Sequence, residues 1–286
     1  MANEIRKIGP KDFPPLLREI PDPPEELFIQ GNFPVTEKYL CVVGSRKHSS
    51  YGKEACQSII GALRGFPITI VSGLALGIDA IAHKAALDAG LATVAVPGSG
   101  LGEEVLYPAT NVPLARKILE RGGALLSEFP NDFRATNWSF PQRNRIMAGL
   151  SHATLIIEAL KRSGTLITSR LATDYNRDVF AVPGPIFSQT SEGPNMLIRL
   201  GATPITKGEE VLEAFGFEFE NPTPDTRKYD DCTDEEKKVI SRLARPIERD
   251  LLILELGWPA AKANSVLMYL EIKGLIKEMG GEIRLV

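Results

Sequence analysis

Residues 68–89, ITIVSGLALGIDAIAHKAALDA, constrain the fold of this chain more than any other stretch. Residues 68–71 are a short β-rich run, apolar on both faces and too short for a helix. That is the pattern of a strand buried inside a parallel sheet. Residues 72–77 then turn the chain, and Gly73 and Gly77 allow positive φ and close backbone approach. Asp79 follows in the N-cap position of an alanine-rich helix that Gly90 ends. Residues 92–96 (ATVAV) supply the next strand. The stretch is one βαβ unit, for which a right-handed crossover is the rule. Its glycine-rich turn falls at the carboxyl end of a strand, where open α/β sheets bind ligands.

The same rhythm runs on both sides. Residues 39–43 (YLCVV) predict a strand ending in Gly44, Ser45 and Arg46, followed by a helix near 53–63. Residues 97–101 are a further glycine-rich strand end. A helix over about 113–121, a strand at 124–126, a helix at 143–150, a strand at 153–157 ending in Glu158, a helix opened by 163–165, a strand at 179–182, a short helix at 197–200 and an edge strand at 203–206 complete the alternation. The expected class is α/β, a Rossmann-like doubly wound parallel sheet over residues 39–217. Residues 1–38 carry seven prolines and, with a short strand at 27–29, read as a short N-terminal extension packed on that core. Residues 218–231 (EFENPTPDTRKYDD) have linker composition. Residues 232–286 predict three short helices and a terminal hairpin at Gly280 and Gly281, a small C-terminal winged-helix domain.

Composition removes several function classes. No apolar run approaches about 20 residues, so no membrane partner is expected. The amino terminus has no apolar signal core, and Cys41, Cys56 and Cys232 share no disulfide or metal spacing, which fits a cytoplasmic protein. With three histidines, a His-rich metal centre is not expected, nor is any cofactor. There is no Walker A motif, no G-x-S-x-G elbow, no H-E-x-x-H, and no G-x-G-x-x-G after the first strand. Net charge is −3, so any polyanion site must be local.

The local cations gather at strand ends and helix starts. Arg46 follows a strand and is placed to hold a phosphate beside backbone N–H groups, or else to pair with Asp79. In residues 140–145 (FPQRNR), Arg143 and Arg145 open a helix where cations oppose the macrodipole, which makes sense when an anion joins them. Residues two apart diverge on a helix, so one arginine is expected to face the anion and the other to pair with Glu128 or Glu158. Lys161, Arg162, Ser163, Gly164 and Thr165 repeat the design, and Arg134 extends the strip. Trp138 and Phe140 flank it and either stack on bases or pack in the core. His83, on the alanine-rich helix, reads as a buried hydrogen-bonded histidine.

These residues, with Val43 to Arg46, Ser72 to Asp79, His83, Tyr107, Pro108 and Asn111, Phe140 to Ser151, Glu158 with Ala159, Ser163 to Thr168 and Val179 to Gly184, resemble the DNA-processing protein A (DprA/Smf) family over nearly the whole chain. The resemblance implies a mediator without enzymatic activity that binds single-stranded DNA, forms a homodimer through the Rossmann-like domain, and loads the RecA recombinase on incoming DNA in natural transformation. It implies a phosphate contact at Gly44, Ser45 and Arg46, with Arg143, Asn144 and the turn at 163–165 lining the same pocket. Many members carry a helical domain ahead of the Rossmann-like part, where this chain has about 38 residues. Residues 228–286 hold 10 Lys+Arg and 11 Asp+Glu, which favours a protein contact or weak duplex binding by the winged helix. Two other classes stay open. One is a nucleotide-binding phosphoribohydrolase of the lysine-decarboxylase-like family, although residues 97–100 lack the threonine and glutamate of its motif. The other is a winged-helix transcription factor.

Overall fold

The computed structural model describes residues 4–218, 231–243, 247–279 and 281–285. The chain divides into two compact units, residues 1–218 and 219–286. The expected linker 218–231 lies almost wholly outside the described residues, as do Pro246 and Gly280.

In the first unit the order is β1 (Arg6–Ile8), α1 (Pro15–Arg18), β2 (Leu27–Gly31), β3 (Lys38–Val43), α2 (Ser50–Ala62), β4 (Ile68–Ser72), α3 (Ile78–Asp88), β5 (Ala92–Ala95), α4 (Val112–Glu120), β6 (Ala124–Ser127), α5 (Ser139–Leu150), β7 (Ala153–Ile156), α6 (Thr165–Asp174), β8 (Asp178–Ala181), α7 (Glu192–Arg199), β9 (Thr203–Pro204) and α8 (Gly208–Ala214). The strands form one sheet in the order β1-β2-β6-β5-β4-β3-β7-β8-β9. From β6 to β9 every neighbouring pair is parallel. β2 joins β6 antiparallel and β1 joins β2 antiparallel. The proline-rich residues 1–38 thus contribute two strands to the sheet itself. The short strand expected at 27–29 is β2, whereas β1, only three residues long, gives no strand signal in the sequence.

The interior strands are short and buried on both sides, which is why they read as continuous apolar runs. Alternate residues feed opposite faces. On one face Leu125 and Ala95 pack with Leu114, Ala115 and Ile118 of α4 and Ala80 of α3. On the other, Val71, Val94, Ala124 and Leu126 pack with Leu17 of α1 and with Ile146, Met147 and Leu150 of α5. The central sheet is therefore mostly parallel and doubly wound. Its chain reverses direction of travel between β3 and β7.

The second unit contains α9 (Asp234–Arg242), β10 (Ile247–Glu248), α10 (Arg249–Leu256), α11 (Ala260–Ile272), β11 (Ile276–Met279) and β12 (Glu282–Leu285). Its strands form an antiparallel sheet in the order β10-β12-β11. Thr233 caps α9 in a reciprocal box, its hydroxyl accepting from the Glu236 N–H while the Glu236 carboxylate accepts from the Thr233 N–H. Val239, Leu243, Leu252, Leu267 and Leu270 form its core. Among the described residues, no helix is long and apolar enough to cross a membrane.

Candidate functional site

β3 and β7 lie side by side, and the loops leaving their carboxyl ends run to opposite halves of the sheet. Such a topological switch point is where an open α/β sheet leaves a crevice. A cavity of about 520 Å³ opens there, lined by Gly44, Ser45, Arg46 and Lys47 after β3, Phe140, Arg143 and Asn144 of α5, and Arg162, Ser163, Gly164 and Thr165 ahead of α6. The volume falls in the range of small-ligand clefts.

The β3 loop is tightly built. The Ser45 hydroxyl accepts from the Lys47 N–H (3.1 Å) and donates to the Lys47 carbonyl (2.8 Å). The Ser45 carbonyl accepts from Ile78 N–H at 3.1 Å, so the first orphan amide of α3 is satisfied by a neighbouring loop. Gly77, at φ +78°, makes that approach possible: a Cβ there would lie 2.7 Å from Arg46 Cα. This arrangement corrects the expected role of Asp79. The N-cap of α3 is Gly77, and Asp79 lies inside the first turn, buried, its Oδ2 accepting from the Gly73 N–H at 3.2 Å. Nor does Asp79 form an ion pair with Arg46. The Arg46 guanidinium rests on the Phe140 ring, 4.9 Å from its centroid.

The two arginines of α5 separate as expected for positions two apart. Arg145 is the structural one. It pairs with Glu128, whose side chain is nearly buried, and donates to the Asp22 carbonyl at 2.7 Å. Arg143 turns inward and is only 4% exposed. Its Nη1 donates to the Val96 carbonyl at 2.8 Å, while its Nε is buried with no partner. Burial pushes the Asp79 carboxyl upward and Arg143 downward from their usual values, and each group's charge opposes the other's shift. Arg143 is thus a buried cation under the cavity and not an exposed phosphate finger. Thr168 Oγ1, also lining the cavity, is buried without a partner. Cys41 lies beneath, its thiol pushed up to about 12 by burial first and by Asp79 second, which makes it inert.

The far wall is held to the near one. Thr165 Oγ1 donates to the Gly44 carbonyl at 3.3 Å, and Asn144 Nδ2 donates to the Gly164 carbonyl at 3.4 Å. Buried Glu158 accepts from the Ser49 N–H (2.9 Å), the Ser49 hydroxyl (2.5 Å) and the Thr190 hydroxyl (2.8 Å), and makes no contact with Arg143 or Arg145.

Of the site residues read from the sequence, Gly44, Ser45, Arg46, Phe140, Arg143, Asn144, Arg162, Ser163, Gly164 and Thr165 meet at this cavity. Arg134, Trp138 and Lys161 do not line it. Trp138 packs edge-on against Phe129 and Phe133, closing a small aromatic cluster. His83 is buried with its Nδ1 2.7 Å from the Thr93 hydroxyl. Val43, Lys47, Ala75, Asp79, Pro141, Met147, Leu160 and Thr168 complete the lining and were not singled out as binding residues from the sequence. Tyr107, exposed beside the cavity, packs on Phe140 with ring centroids 5.7 Å apart. Its place after the glycine-rich strand end at 97–101 was the signal available for it.

Fold and site together define a class: a doubly wound α/β protein with a basic, aromatic-lined crevice at the switch point of its sheet. Residues 4–216 match the family described as DNA recombination-mediator protein A, and residues 221–282 match the DprA winged helix domain. Protein Smf of Escherichia coli (strain K12) is 40% identical over 282 residues, covering 96% of this chain and 75% of that protein. The solved structure of DNA processing protein A from Streptococcus pneumoniae matches with a TM-score of 0.68 at 40% identity, covering 77% of this chain and 76% of that one. That of DNA processing protein A from Helicobacter pylori, described for its single-stranded DNA binding mode, matches with a TM-score of 0.67 at 28% identity, covering 74% of this chain and 95% of that one. The chain belongs to the DNA recombination-mediator protein A family.

Proposed function

We propose that this protein binds single-stranded DNA in the switch-point cavity and acts, without catalysis, as a recombination mediator that loads RecA on incoming DNA. The observation that carries the reading is the meeting of Arg46, the amino-terminal turns of α5 and the 162–165 turn around one cleft with Phe140 in its wall. Backbone amides at two helix starts, joined by guanidinium groups, hold phosphates without breaking bonds. An aromatic ring in the same wall receives a base and is indifferent to its identity. The binding residues are Gly44, Ser45, Arg46, Phe140, Arg143, Asn144, Arg162, Ser163, Gly164 and Thr165, with Arg143 contributing charge from beneath. The Helicobacter relative's reported single-stranded DNA binding supports the same ligand here. One cleft covers few nucleotides, so a cytoplasmic homodimer would gain affinity by linking two.

The test is fluorescence anisotropy with single- and double-stranded oligonucleotides across a salt titration. Single strands bind tighter, and Arg46→Ala weakens them at least tenfold while lowering the salt slope by about 0.7, the value for one lost single-strand phosphate contact. Unchanged affinity in a folded Arg46→Ala protein removes the cavity from the reading. RecA filament assembly on strands precoated with single-strand-binding protein tests mediation, and hydrolysis of nucleoside monophosphates would move the chain to the phosphoribohydrolase class.

A further inference from the structure

The turn after β8 carries the two most conspicuous apolar side chains of the first unit outside the amino-terminal segment. Phe187 is 96% exposed and Ile186 is 80% exposed. They occupy the two central positions of a β-turn closed by Ser188 N–H to the Pro185 carbonyl at 3.0 Å. Glycine, asparagine, aspartate and serine normally fill such positions, because they tolerate the turn's backbone angles or hydrogen-bond to it locally, and neither Ile186 nor Phe187 does the latter. The turn is also firmly held. Asn195 accepts from the Gly184 N–H (3.2 Å) and donates to the Gly184 carbonyl (3.0 Å). The Tyr51 hydroxyl donates to the Pro183 carbonyl at 2.5 Å. A rigid turn that presents a bare phenylalanine to solvent is built to be covered.

Its surroundings say by what. The segment from 183 to 191 is hydrogen-bonded to the loop that forms the far wall of the cavity, through Ala159 N–H to the Thr190 carbonyl (2.8 Å) and the Thr190 hydroxyl to Glu158 (2.8 Å). That wall leads through exposed Leu160 and Lys161 to Arg162 at the cavity mouth. Neither cation forms an ion pair among the described residues. A tip of two side chains is far smaller than the roughly 800 Å² per partner of a stable protein interface. An exposed aromatic ring on a segment hydrogen-bonded to a loop that carries two free cations is what a single strand uses, base on ring and phosphate on cation.

We propose that Phe187, with Ile186 beside it, is a stacking platform for a nucleobase of the strand as it leaves the switch-point cavity, the phosphate between them passing Lys161 and Arg162. The inference rests on the single-stranded DNA reading, and the test separates the two. Anisotropy is measured with oligothymidylates of about 5 and about 16 nucleotides, the two ends of the usual site-size range. The proteins are wild type, Phe187→Ala, Phe187→Trp and Arg46→Ala, each checked for folding by circular dichroism and for mass by light scattering. Phe187→Ala leaves the short strand unchanged and weakens the long one about tenfold, within the range for one lost stacked base. Phe187→Trp restores the long-strand affinity, and its indole fluorescence is quenched by the long strand alone. If Arg46→Ala weakens both strands while Phe187→Ala weakens neither, the platform is wrong and the cavity reading stands. If neither variant weakens either strand, both fail. A change of mass in Phe187→Ala assigns the turn to contact between copies and overturns the platform.

Discussion

Gly73 has no room to be another residue. A Cβ built on it would overlap the Arg143 guanidinium, which lies against the backbone there on its way to the Val96 carbonyl. Gly73→Ala is expected to displace a buried cation from its hydrogen bond and to destabilise by about 3 kcal/mol or more, read from urea unfolding. Arg145 and Arg46 make an opposed pair. Arg145→Ala strands Glu128 without its cation and costs about 3 kcal/mol near neutral pH. Burial already holds the Glu128 carboxyl above its usual value against the pull of Arg145, so this loss shrinks as pH falls and the carboxyl takes a proton. Arg46→Ala, at an exposed position, changes stability by no more than about 0.5 kcal/mol while removing DNA affinity. His83 supplies a pH signature. Burial lowers it from 6.5 to about 3, with the charge of Arg143 adding to the effect. Between those values the unfolded chain binds a proton that the folded chain does not. Stability therefore falls as pH drops below about 6.5, by about 1.4 kcal/mol per pH unit for this one group. His83→Gln, which has nothing to titrate there, is expected to flatten that limb in denaturant midpoints measured from pH 7 to pH 4.

At the scale of elements, the sheet was legible because strands buried on both sides have to be continuous apolar runs, as at β4 and β7. The crevice was legible because glycine and small polar residues close several strands in turn. Less legible was anything settled by a neighbour distant in sequence. Asp79 looked like a cap, since a side-chain cap is the local solution for a helix start. Here the Ser45 carbonyl takes the Ile78 amide, and the aspartate is released to face Arg143. Spacing alone said that Arg143 and Arg145 must diverge. Which one turns inward depended on Gly73 leaving space on one side and Glu128 waiting on the other. Trp138 left two readings open, stacking on bases or packing; one edge of it packs on Phe129 and Phe133 while the side chain stays 56% exposed, contacts that no local pattern in the sequence announces. Residues 27–29 show as a short strand in the sequence, but their place in the sheet does not, because the partner β6 lies about a hundred residues away, and three-residue β1 exists only by pairing with β2.

For the whole molecule, the division into residues 1–218 and 219–286 leads to a direct expectation. The first unit has its own core, and every residue of the proposed cavity belongs to it. A protein ending at Glu218 is expected to unfold cooperatively and to keep single-strand affinity within tenfold, about 1.4 kcal/mol, of the full chain by anisotropy. A larger loss from a folded protein would give the winged-helix unit a share in the binding. In that second unit many cations are already answered from within, Lys262 by Glu235, Lys273 by Glu236 and Arg249 by Glu278, which leaves little charge for a duplex. The outermost strands of the large sheet carry one more consequence. β1 is three residues long with Arg6 and Lys7 in it, and β9 is two residues long and ends in Pro204, which has no N–H to offer. Short, charged or proline-blocked margins are how β proteins avoid being extended by another chain. Both margins disfavour a further strand, so copies that associate are expected to meet through side chains on helices and loops.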